Sequence, residues 1–100
     1  MHSVADVARL LDHAVLKPDQ AAADLAAHAR MCVEQGVGCL CVKSCDVAEA
    51  VRLVAESPVV VAAVIGFPHG GQRAEIKAEE ARLAIADGAR ELDMVINVGA

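Results

Sequence analysis

Val59-Val60-Val61-Ala62-Ala63-Val64-Ile65 runs without a polar side chain between the stop at Ser57-Pro58 and the turn at Gly66. A strand this apolar, rich in β-branched residues and with no alternation, belongs in a sheet covered on both faces. Gly38-Cys39-Leu40-Cys41-Val42-Lys43 is almost as apolar and reads the same way. Doubly covered strands are parallel strands, and parallel strands need long crossovers, usually helical. The flanking segments supply them. Residues 19–35 are alanine-rich, with Asp19 as N-cap, an apolar stripe at Leu25, Ala29, Cys32 and Val33, and Gly36 as a left-handed C-cap. After Lys43-Ser44-Cys45-Asp46 a helix runs through Ala55 with Val47, Ala50, Val51 and Val54 on its buried side. A third helix, Ala74 to Asp87, is closed by Gly88.

Outward from this centre, Ser3 and Asp6 form a capping-box variant at the start of a short helix ending near Leu11. Asp12 to Leu16 then alternates as a strand does, with Asp12, Ala14 and Leu16 on one face, until Lys17-Pro18-Asp19 breaks it. At the other end, Glu91-Leu92-Asp93-Met94-Val95-Ile96-Asn97 reads as a strand with Asp93, Val95 and Asn97 on one face and Leu92, Met94 and Ile96 on the other. The order is helix, three βα units and a final strand, an α/β arrangement with right-handed crossovers. Two architectures satisfy it: an open doubly wound sheet, or part of a (β/α)8 TIM barrel. A full barrel takes about 200 to 250 residues. At this spacing the 100 residues amount to about half of one.

Burying the Asp93 carboxylate inside so apolar a run costs several kcal/mol unless it is paired, hydrogen-bonded or protonated. Either a polar group on a neighbouring strand satisfies it, or it is a tuned acid or base in the mouth of a barrel. The residues alone leave both open.

Composition narrows the function. The chain is 56% apolar and 23% charged, which suits one packed core. Phe67 is the single aromatic, so a base-stacking platform has no material, and the net charge of −5 repels a phosphate backbone, which together argue against nucleic acid. Asp6 and Arg9 interrupt any signal-peptide core, and no apolar run reaches spanning length, so a cytoplasmic protein without membrane contact is expected. Its cysteines, Cys32, Cys39, Cys41 and Cys45, are then free thiols. Their spacing lacks the second Cys or His pair of a zinc site, so core thiols rather than metal ligands are expected. The loop Gly66-Phe67-Pro68-His69-Gly70-Gly71 lacks the Lys-Ser/Thr of a phosphate-binding loop and the spacing of a dinucleotide fingerprint, leaving a tight strand-to-helix turn. His28 reads as a solvated helix residue rather than a ligand.

Four segments together resemble the deoxyribose-phosphate aldolase family of (β/α)8 class I aldolases. They are Leu11-Asp12-His13-Ala14-Val15-Leu16-Lys17-Pro18, Cys41-Val42, Val64-Ile65-Gly66-Phe67-Pro68-His69-Gly70, and Gly88 to Asn97, in the family's order and spacing. The resemblance implies reversible cleavage of 2-deoxyribose 5-phosphate, a small phosphorylated sugar, to glyceraldehyde 3-phosphate and acetaldehyde, with no metal or cofactor. A lysine amine forms a Schiff base, the imine acts as electron sink, and an acid/base group moves the protons. On this resemblance Asp93 is the acid/base aspartate, Asp12 a second active-site carboxylate, and Cys41, Leu16 and Phe67 line the substrate pocket, toward the C-terminal ends of the strands. The chain departs from the family at Ala14, often threonine, and at Lys43-Ser44, often Asn-Pro. The family's Schiff-base lysine lies on a sixth strand. Lys17, Lys43 and Lys77 do not match it: Lys77 reads as solvated, Lys17 as a surface or salt-bridged residue, and Lys43 reaches the mouth only if Cys39 and Cys41 point inward. The 100 residues alone are therefore expected to be inactive. A non-catalytic half-barrel pairing with itself or another chain is the alternative, and a homo-oligomer fits either reading. A flavodoxin-like binding domain is disfavoured, since it would bury Asp93 without a partner.

Overall fold

In the computed structural model, which describes residues 2–99, the alternation of apolar strands and one-sided helices becomes a single parallel sheet. The elements are α1 (Val4–Ala8), β1 (Asp12–Val15), α2 (Ala22–Gln35), β2 (Cys39–Val42), a 3₁₀ turn (Ser44–Asp46), α3 (Val47–Val54), β3 (Val60–Ile65), α4 (Ala74–Ala86) and β4 (Glu91–Met94). The strands lie side by side in chain order, each parallel to the next. Right-handed crossovers that always step in one direction put every crossover helix on the same face. A doubly wound sheet would reverse direction and carry helices on both. The fold is therefore the first half of a (β/α)8 barrel, with a helix-covered outer face and an open inner one.

The core divides accordingly. On the outer face Leu40, Val42, Val61, Ala63 and Ile65 of the sheet pack against Leu25, Ala29 and Cys32 of α2, Val47, Ala50 and Val54 of α3 and Ala84 of α4. On the inner face Cys39, Cys41, Ala62 and Val64 form a second, smaller cluster to which, among the described residues, only Leu16 and Val60 add, with no described helix over it.

Local signals account for most boundaries. Ser3 Oγ accepts from the Asp6 amide and Asp6 from the Ser3 amide, the reciprocal cap expected at α1. α2 starts at Ala22 rather than after Asp19, because Asp24 reaches back to accept the Ala21 N–H at 2.7 Å while the Gln20 side chain donates to the Val15 carbonyl at 3.1 Å. The last strand stops at Met94, short of Asn97. The Val95 amide makes one more bond, to the Ile65 carbonyl at 2.9 Å, and the Val95 carbonyl is taken by the Lys77 ammonium at 2.8 Å. Lys77, expected in solvent, is thus half-buried as a tie across the end of β4. His28 is exposed as expected, but its Nδ1 lies 2.9 Å from Nε2 of His13 on β1. No described helix is long and apolar enough to cross a membrane.

Candidate functional site

Alternate residues of the strands face inward: Asp12 and Ala14 from β1, Cys39 and Cys41 from β2, Ala62 and Val64 from β3, Glu91 and Asp93 from β4. Register sets Ala14 beside Cys41, Cys41 beside Ala62, and Val64 beside Asp93. Cys41 and Asp93 stand on strands separated by β3, about 10 Å apart on a flat sheet. The small side chain of Ala62, which stands between the two strands' residues, leaves room for them to meet. The Cys41 thiol donates to Asp93 Oδ2 at 3.5 Å and the Cys39 thiol to Glu91 Oε1 at 3.8 Å. Donor atoms of Asp12, Cys41 and Asp93 lie within 4.8 Å of one another, as do those of Asp12, Cys39 and Glu91.

The two resemblance-assigned aspartates and Cys41 are therefore one cluster. Among the described residues, no lysine or arginine is ion-paired to its carboxylates, since the ion pairs all lie elsewhere. The thiols sense that charge. Burial first, then the Asp12 charge and the bond to Asp93, pushes Cys41 up to about 12, and burial with Asp12 raises Cys39 further still. Both are held as protonated donors. A divalent cation could be gripped by either triad only by stripping a proton from such a thiol.

Leu16 and Phe67 stand apart from this cluster. They line a neighbouring cavity of about 350 Å³ with Lys43, Ser44, Val64 and Glu80. Val64 joins the two regions, lining the cavity and pairing with Asp93 in the sheet. The cavity wall is fastened by Glu80 of α4, whose carboxylate accepts the Gly66 amide at 2.8 Å and the Ser44 hydroxyl at 2.7 Å. Lys43 points its ammonium at the Lys17 carbonyl, 3.2 Å away, with Asp46 at 3.9 Å.

Two expectations need correcting. Asp93 is not buried: every residue of β4 is exposed, because it is the sheet's outermost strand. And Asp12 opens β1 rather than lying toward its C-terminal end, whereas Cys41 and Asp93 are third of four in theirs and Leu16 and Phe67 follow β1 and β3. Sequence reasoning missed Glu91, Cys39 and Glu80. Glu91 was within reach, since period-2 alternation puts it on the face of Asp93. Glu80 had no such signal, its partners being far away in sequence.

No family model matches the chain. Curated relatives do: it is 47% identical over 94 residues to deoxyribose-phosphate aldolase 1 of Bacillus licheniformis, and 48% identical over 96 residues to the deoxyribose-phosphate aldolase of Mycolicibacterium paratuberculosis. These alignments cover 94% and 96% of the chain but 42% of each relative, so the chain spans about two-fifths of their length. Among solved structures, it superposes on a tetrameric deoxyribose phosphate aldolase of Aeropyrum pernix with a TM-score of 0.90 and 29% identity, covering 97% of the chain and 42% of that structure.

Proposed function

From its homology to the deoxyribose-phosphate aldolases over nearly its whole length, we propose that this chain is the N-terminal half of a single (β/α)8 class I aldolase domain. The full enzyme cleaves 2-deoxyribose 5-phosphate reversibly to glyceraldehyde 3-phosphate and acetaldehyde through a lysine Schiff base. Asp93 is the acid/base group that moves protons while the imine draws electrons from the breaking C–C bond, and Asp12 orients water or a substrate hydroxyl. Cys41 holds Asp93 in place as a neutral donor, and Leu16 and Phe67 shape the adjoining pocket. The observation that carries this reading is the convergence of Asp12, Cys41 and Asp93 on the open inner face.

The electrophile-capturing amine is none of the chain's own lysines. Lys77 and Lys43 are both bonded to backbone carbonyls and Lys17 is exposed. It comes instead from polypeptide supplying the remaining strands. A cytoplasmic, homo-oligomeric enzyme fits this picture, the free thiols suiting a reducing compartment and the A. pernix neighbour being a tetramer.

In a full-length enzyme carrying these residues, Asp93→Asn is expected to lower retro-aldol turnover by about 10² to 10⁴ while borohydride still traps the substrate imine. Turnover close to that of the parent would remove Asp93 from the mechanism. The 100 residues alone should trap no imine, and a borohydride adduct on Lys43 would overturn the assignment of the amine. The alternative of a non-catalytic half-barrel is favoured by one observation, the unpaired edges of β1 and β4.

A further inference from the structure

On the outer side of the sheet, away from the carboxylates, two imidazoles meet. His13 is on the helix-facing side of β1 and His28 is in the middle of α2. Although 15 residues apart, they hold His13 Nε2 and His28 Nδ1 at 2.9 Å, with the rings stacked at 5.1 Å between centroids and 29° between planes. A hydrogen bond here requires one nitrogen to carry a proton and the other a lone pair. When the donor ring's proton sits instead on its outer nitrogen, as the acceptor's already does, two lone pairs face the same small space, the arrangement of a chelate. Two imidazole nitrogens at about 2.1 Å from an ion and at right angles to one another stand about 3.0 Å apart, so the spacing of the pair suits an octahedral ion once each ring turns its lone pair off the line between the nitrogens. A tetrahedral ion needs about 3.3 Å, reached by a small ring rotation.

We propose that His13 and His28 form a bidentate site for a divalent transition-metal ion that prefers imidazole, Ni²⁺ or Zn²⁺, and that the bound ion staples α2 to β1. The site is open to solvent on the α2 side, since His28 is exposed. Beside it lies a concavity of about 310 Å³ whose charged and imidazole lining is His28, Asp24, Asp19 and one cation, Lys17, with room for the waters that complete the shell. Asp24, one turn before His28, adds negative charge on the approach. The proposal is independent of the aldolase reading and involves none of its residues.

The test is a calorimetric titration of the chain with Ni²⁺, accompanied by thermal unfolding. Ni²⁺ should bind one to one and raise the unfolding temperature. His28→Gln, at an exposed position that leaves the helix intact, should weaken binding by about tenfold or more, and His13→Gln should do the same. His2→Ala should leave affinity unchanged. Unaltered affinity in His28→Gln would overturn the proposal. So would binding that persists there but disappears in Cys41→Ser, which would put the ion among the carboxylates of the inner face.

Discussion

Cys41 and Cys45 are four residues apart and should behave as opposites. The Cys41 thiol is buried against Asp93 and held protonated up to about 12, whereas Cys45 is exposed on the 3₁₀ turn. The thiolate is the reactive form, so iodoacetamide at mildly alkaline pH should modify Cys45 first, with Cys32, Cys39 and Cys41 labelled only as the chain opens. Peptide mass spectrometry over time reads the order; equal rates at Cys41 and Cys45 would refute the protonated, buried thiol. The same shift governs alkaline stability. In the unfolded chain a thiol ionises near 9.0, and in the fold Cys41 resists until about 12. Its stabilising contribution is whole below 9 and is lost as pH climbs from there towards 12. Unfolding temperatures measured from pH 8 upward should fall, and less steeply in Cys41→Ser. That Cys39 and Cys41 are buried was legible in their apolar run. Their inward direction was not, because a strand apolar on both faces carries no mark of which face the helices cover. Asp93 shows the converse. Its alternation was readable, but its exposure depends on what pairs with β4, which residues 91–97 do not encode.

At the scale of elements, α4 acts on the rim through two residues one turn apart. Lys77 holds the end of β4 through the Val95 carbonyl, and Glu80 holds the loops after β2 and β3 through Ser44 and Gly66. Glu80→Ala leaves the buried Gly66 amide without its acceptor, a loss of about 1–3 kcal/mol by denaturant titration. Hydrogen exchange at Gly66 should quicken with it. An unchanged midpoint would mean that water replaces the carboxylate there. The loop's second anchor is Gly70, at φ +71°, where a Cβ would lie 2.1 Å from the Ile96 carbonyl oxygen. Gly36 has almost the same φ, +70°, but open space around it. Gly36→Ala should cost the left-handed penalty alone, about 1–2 kcal/mol. Gly70→Ala should cost more, because the segment after β4 must also move. Periodicity and glycine placement made the order of elements and the closure of α2 readable. The Glu80 and Lys77 ties were not, since each joins groups that only the folded sheet brings together.

At the scale of the molecule, among the described residues β1 and β4 each have one bare edge, and the inner face carries apolar side chains beneath three carboxylates that no lysine or arginine pairs. Leu92, Met94 and Ile96 are exposed as well. Such a surface needs cover, and the two candidate covers differ in charge. A second copy would close the barrel by setting β4 of each chain against β1 of the other, enclosing two sets of Asp12, Glu91 and Asp93 in one chamber. Those like charges repel across a low-dielectric space, so self-pairing should be weak at low ionic strength and strengthen as salt screens it. The remaining strands of an aldolase would instead bring the amine that the carboxylates lack, and salt should then matter little. Sedimentation of the chain at low and high salt, with a hydrophobic dye as probe of the inner face, separates the two. The expected result is dye binding and salt-promoted association for the chain alone, and loss of dye binding at any salt once the complementary half of a homologous aldolase is fused after Ala100. A discrete dimer that persists at low salt and excludes the dye would instead mean that the carboxylates tolerate one another, and the case for an incoming amine would lose its electrostatic ground.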